Sequence, residues 1–277
     1  MRSARIVEAG AAYYHIVSRV VDRQMVFDDS EKERFRMTMR AVAEFSGISV
    51  KTFSVMTNHW HILAYVPERE DVSDGELGRR LACIYDGKKV ESIVAQIAVL
   101  RKAGNDEAAD RRKQDFTYRM YDLGEFMKTL KQRVSMSYNK RHHRKGTLWE
   151  ERFKSVLVEG KPGALLKVAS YIDLNPVRAG MVTDPKDFRF SGYGEAMGGS
   201  KEARARLMGL MRDGIDQETW RAASARYRQL LYVRGEAQGV RENGQRENQG
   251  FGEAAVAAVV EVKGKFRPPD IGALFSL

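Results

Sequence analysis

Two runs rich in β-branched and aromatic residues, "ISVKTFSVMTN" and "HWHILAYV", follow one another with only Thr57 and Asn58 at the turn between them. Strands joined so tightly pair antiparallel, because a parallel partner needs a long crossover. The rest of the chain has to be built around that hairpin. "YYHIVSRV" (Tyr13 to Val20) has the same β-rich composition and reads as an earlier strand. "DSEKERFRMTMRAVAEFSG" between them is an amphipathic helix that Asp29 or Ser30 can cap and Gly47 ends.

Further on, "RFKSVLVE" (Arg152 to Glu159) reads as a fourth strand, preceded by a long helix. Asp122 and Glu125 open that helix as a capping box, and the basic "KRHHRKG" suits its negative end, with Gly146 as the stop. Leu123, Phe126, Met127, Leu130 and Val134 form its apolar stripe, with Tyr138 at the edge. "GALLKVASYIDLN" is a helix that Asn175-Pro176 should stop. "YIDLNPVRAG" reads as that helix end and its turn. The order strand, helix, strand, strand, helices, strand predicts an α+β fold: a ferredoxin-like antiparallel sheet with helices on one face.

Outside that frame, Ser73 to Met120 is rich in Ala, Leu, Arg and Glu and reads as a helical insertion, with "KAGNDEAADRRKQ" a solvated connection inside it. We expect one domain over 1–195 (insertion about 70–121), a helical extension over 196–234, and a linker and tail over 235–277. The near tandem repeat "RENGQRENQG" gives the tail its low complexity.

Composition limits the function classes. No apolar run approaches the roughly 20 residues of a membrane span, and the N-terminus lacks the apolar core of a signal peptide, so a cytoplasmic protein is expected. One cysteine, Cys83, excludes an internal disulfide framework and a cysteine-based zinc cluster. The formal net charge of +10 favours a polyanionic partner. Its distribution is more telling: Lys128 to Lys154 holds nine Lys or Arg against two acids, Glu150 and Glu151.

Three groups of residues could carry chemistry. His59 and His61 alternate with Trp60, so their imidazoles share one strand face, which we expect to be open. Such a pair can hold one metal ion, and imidazole donors alone point to zinc, manganese or another transition metal. Tyr138 gains significance from His142, one helical turn later, and from the surrounding cations; a phenol of pKa about 10 needs such help to act as a nucleophile. In "GTLWEERFKS", Trp149 offers a stacking surface and Arg152 and Lys154 offer phosphate contacts. A Trp anchoring the helix to the next strand is an equally good account of Trp149.

Together, "MTNHWHILAYVP", "SYNKRHHRKGTLWEERFKSVLVE" and "YIDLNPVRAG", in that order, resemble the HUH single-tyrosine transposases, and most closely their REP-associated tyrosine transposase branch. The likeness spans about residues 5–195. It implies an enzyme that nicks and rejoins single-stranded or hairpin DNA of repeated palindromes through a 5′-phosphotyrosine. It implies Tyr138 as nucleophile and His59, His61 and His142 as ligands of one Mg²⁺ or Mn²⁺. The DNA contacts expected with it are Arg19, Lys131, Arg141, Arg144, Lys145, Trp149, Arg152 and Lys154. Two alternatives keep the basic surface: a domesticated, non-cutting DNA-binding protein, and a metallohydrolase using water. A monomer and a homodimer are both open.

Overall fold

A computed structural model describes residues 10–211 and 219–235, with 250, 251, 255 and 259 besides. Its elements begin with β1 (Ala12–Arg19), α1 (Asp29–Ser46), β2 (Ser49–Val55) and β3 (His59–Val66). Three helices follow, α2 (Asp74–Ala82), α3 (Gly87–Lys102) and α4 (Asp106–Thr117), then the long α5 (Leu123–Arg141) and β4 (Lys154–Val158). The chain continues through α6 (Pro162–Arg178), α7 (Gly192–Met197), α8 (Lys201–Leu210) and α9 (Trp220–Arg234). The strands form one antiparallel sheet in the order β2-β3-β1-β4, so the α+β class is the one expected.

Two compact units divide the chain. One takes Met1–Val50, Thr57–Trp60 and Ala64–Leu157; the other takes Lys51–Met56, His61–Leu63 and Val158–Leu277. In the first, α1 packs on α5. Asp28, not Asp29 or Ser30, caps α1: its side chain accepts from the Glu31 N–H at 2.8 Å, and its extended backbone is what an N-cap needs. Gly47 ends the helix at φ 66°, where a Cβ would collide with the Tyr121 ring and the Arg80 guanidinium. Phe27, Phe35, Trp60 and Trp149 meet ring to ring at 5.3–6.2 Å and form this unit's aromatic core. Each such pair adds roughly 0.5–1.5 kcal/mol beyond the area it buries.

The expected solvated connection in the insertion is mostly helix. Asn105 caps α4 by accepting from the Ala108 N–H at 3.1 Å, so the link shrinks to about Ala103–Asn105. Polar composition hid this helix, but Ala109 and Phe116 are buried, and Arg101 ties it back through Asp106 and Asp110.

In the second unit α6 does not stop at Asn175-Pro176; it runs through Pro176 to Arg178. Proline cannot donate to the carbonyl four residues back. The Asn175 amide takes that place, donating to Ile172 O at 3.3 Å and Tyr171 O at 2.9 Å. Asp173, completely buried on this helix, accepts from Thr52 Oγ1 (3.0 Å), Tyr227 Oη (2.7 Å) and the Tyr193 N–H (3.3 Å). Burial pushes its carboxyl up to about 7, and the three donors only partly offset that. Gly192 is required here, because a Cβ would lie 2.2 Å from Thr52 Oγ1. The extension contains α8 and α9, whereas residues 241–249 of the repeat lie outside the described residues. Among those described, no helix is long and apolar enough to cross a membrane.

Candidate active site

The last turn of α5 brings Tyr138 and His142 together. Tyr138 continues the buried stripe of Leu123, Phe126, Met127, Leu130 and Val134 and is 8 % exposed. Its ring stacks on the His142 imidazole, with centroids 4.1 Å apart and planes 24° from parallel. The helix ends sooner than the Gly146 stop suggested. His142 is already the C-cap residue, although its N–H still donates to Tyr138 O at 3.0 Å, and His143 turns to φ 48°. The four-residue spacing is thus realised as a ring stack at a helix end.

Glu31, which the sequence reading passed over, organises this end of the helix. It is 4 % exposed on the first turn of α1. Arg141 donates to it twice, with Nε 2.9 Å from Oε1, and His142 Nε2 lies 3.0 Å from the same oxygen. Burial pushes the Glu31 carboxyl up, but the bonds and charges of Arg141 and His142 outweigh it and hold the group below its ordinary range. The only sequence signal was an acid at the third helical position, which a capping role explains equally well.

Tyr138 is driven the other way. Burial raises its phenol pKa first, the charge of Glu31 adds to that, and Arg144 and Arg141 oppose. The cations needed to activate a phenol are present, but burial, with the charge of Glu31, outweighs them.

The histidine pair is less open than the alternation suggested. His59 is half-buried, with Nδ1 2.7 Å from Asn58 Oδ1. Burial, with a smaller contribution from the charge of Arg19, lowers its pKa to about 4. His61 is buried, edge-on to the Tyr171 ring at 5.8 Å. Trp60 through Ala64 are all buried, so both faces of β3 are covered there and period-2 alternation no longer reports exposure. Among the described residues no group of three or more His, Cys, Asp or Glu is arranged to hold a metal ion. His142, the expected third ligand, faces Glu31 instead. The residues present do not fit the three-histidine centre that the resemblance implies.

The expected DNA contacts separate into two sets. Arg19, Lys145, Arg152 and Lys154 are exposed, although Lys154 pairs with Glu151 at 2.9 Å. Arg144 is half-buried and donates to Thr147 O at 2.9 Å, while Arg141 is committed to Glu31. Trp149 is buried: its indole N–H donates to Lys131 O at 3.1 Å and its ring packs on Phe27 and Trp60. It anchors α5 to the chain that follows and offers no open face for stacking. Lys131 lies over that indole, 5.3 Å from the ring centroid, and donates to Glu151 O at 2.8 Å. Burial lowers its pKa to about 8 against the pull of Glu151.

Residues 9–75 match the family model described as "Transposase IS200 like". A solved structure, that of "the REP associates tyrosine transposase bound to a REP hairpin", is 14 % identical, covering 79 % of this chain and 95 % of its own, with a TM-score of 0.45. No curated protein matches the chain.

Proposed function

We propose, on the premise that residues 9–75 are an IS200-like transposase segment, that this chain nicks and rejoins single-stranded or hairpin DNA with Tyr138 as the nucleophile. The observation that carries the reading is the Tyr138–His142 stack at the end of a helix whose following residues supply the exposed cations Lys145 and Arg152. In this reading Tyr138 Oη attacks the scissile phosphorus, a phosphotyrosine ester forms, and a 3′-hydroxyl leaves. Arg144 and Arg141 favour the phenolate that makes the attack; burial and Glu31 oppose it. Glu31 fixes Arg141 and His142, so the last turn of α5 meets DNA in one arrangement. Of the expected metal ligands, His59 and His61 share a strand face.

A specific observation favours a second reading, a DNA-binding protein that no longer cuts. Tyr138 is 8 % exposed with its pKa raised, the reverse of what an activated nucleophile requires. Strand cleavage decides between the two. With end-labelled hairpin DNA and Mg²⁺, a transposase yields a shortened product that Tyr138→Phe abolishes while still binding. The second reading gives binding without product from either protein.

A further inference from the structure

The helical insertion holds a second concentration of positive charge, apart from the tyrosine helix end. Tyr85, in the link between α2 and α3, is surrounded by three cations. Lys89 Nζ lies 4.2 Å from the ring centroid, the Arg133 guanidinium carbon 5.6 Å and that of Arg119 5.8 Å. Arg119 also donates to the phenol oxygen at 2.8 Å and covers the Phe45 ring at 4.7 Å, and Arg133 donates to Ile84 O. The four residues come from the α2–α3 link, the first turn of α3, the segment after α4, and α5, all within the first unit. The hydrogen bond from Arg133 to Ile84 O ties α5 to the insertion at this point.

None of the three cations has a carboxylate partner among the described residues, although the other arginines of the insertion do. Arg79 and Arg80 hold Glu76, Arg101 holds Asp74, Arg111 holds Glu107 and Arg112 holds Asp115. Asp86, next to Tyr85 in sequence, is engaged as the α3 cap, accepting from the Lys89 N–H at 3.0 Å. An aromatic face attracts each cation, but it does not neutralise charge. Three like charges around one ring therefore repel one another. Burial is the main cause that lowers the pKa of Arg133; Tyr85 opposes it, and the charge of Arg119 adds a smaller lowering.

We infer that Lys89, Arg119 and Arg133, set around Tyr85, form a second phosphate-binding site that takes the backbone of the bound DNA. The inference rests on the DNA-processing reading above and gives the insertion a role in it. Two guanidinium groups held by Tyr85 and Ile84 provide fixed donors, and the exposed Lys89 closes on the phosphate from solvent. The site needs phosphate and not a particular base, so it adds affinity without sequence choice.

Removing Arg119 and Arg133 together could unfold the insertion, so the test centres on Lys89, which is exposed. Lys89→Glu is compared with Lys102→Glu, the same charge change at the exposed far end of α3. Single-stranded hairpin DNA is titrated against each full-length protein at several salt concentrations. The inference predicts that Lys89→Glu binds roughly fivefold or more weaker than Lys102→Glu, with a salt slope lower by about one. Arg119→Gln, provided its thermal melt shows it folded, should behave like Lys89→Glu. Equal affinities and slopes for the two lysine variants, beside a wild type that binds steeply, overturn the site and leave the DNA reading standing. A wild type that fails to bind overturns both.

Discussion

Glu31 Oε1 lies 3.0 Å from His142 Nε2, joining the first turn of α1 to the end of α5 across 111 positions of sequence. Arg141 shares the same carboxylate, which is 5 % exposed against 28 % and 42 % for the Arg141 and His142 side chains. Glu31→Ala leaves the partly buried Arg141 guanidinium without its carboxylate partner and should cost about 1–3 kcal/mol in urea unfolding, with Glu31→Gln in between. Because the folded-state pKa of Glu31 is depressed, its contribution is full above the unfolded carboxylate pKa and fades as pH falls below that value. A Glu31→Ala protein as stable as wild type at pH 7 would show the pair to be incidental.

Asp173 gives the opposite pH signature. Its folded pKa is near 7 against an ordinary 3.8. Between those values the folded protein keeps a proton that the unfolded chain has lost, so stability falls as pH rises from about 4 to 7 and levels off beyond. About three units correspond to at most about 4 kcal/mol. Asp173→Asn should remove this fall, measured as the wild-type-minus-variant stability between pH 4.5 and 8. A difference that does not change with pH contradicts the buried, proton-holding carboxyl.

His59 and His61 should separate by fold. His61→Ala empties a buried position beside Tyr171 and should cost about 1–3 kcal/mol of stability. His59→Ala, at a half-buried position, should cost less than about 1 kcal/mol while lowering cleavage if that imidazole faces the DNA. Thermal melts beside cleavage assays check both, and full cleavage by His59→Ala removes that residue from the chemistry.

Salt dependence should follow the exposed cations. Lys145→Gln with Arg152→Gln should flatten the salt slope of hairpin binding by about two. Arg141→Gln should act mainly on stability, since its guanidinium is held by Glu31. A filter-binding series in which Arg141 carries the slope and the other two do not would relocate the DNA surface.

Local signals in the sequence were legible where local physics decides. The strands, the Asp122 cap and the apolar stripe of α5 follow from short-range patterning, and the structure has them. Pro176 and the "KAGNDEAADRRKQ" stretch misled because a side-chain amide replaced a lost backbone donor, and because two buried residues sufficed for a polar helix. Glu31 was out of reach, since its partners lie more than a hundred residues away. The burial of His61 and Trp149 was also hidden, because alternation assigns a face to a side chain and not what covers that face.

Attack by Tyr138 Oη would join the protein to DNA covalently, and that bond can be trapped. Wild-type protein incubated with labelled hairpin DNA and Mg²⁺, then run on a denaturing gel, should carry label, and peptide mapping should place it on Tyr138. The ester conserves the energy of the cleaved bond, so adding a 3′-hydroxyl strand should release the label without ATP. Tyr138→Phe lacks one oxygen and should bind the DNA yet form no adduct. An adduct persisting in Tyr138→Phe, or mapping to the exposed Tyr118, would show that Tyr138 is not the nucleophile.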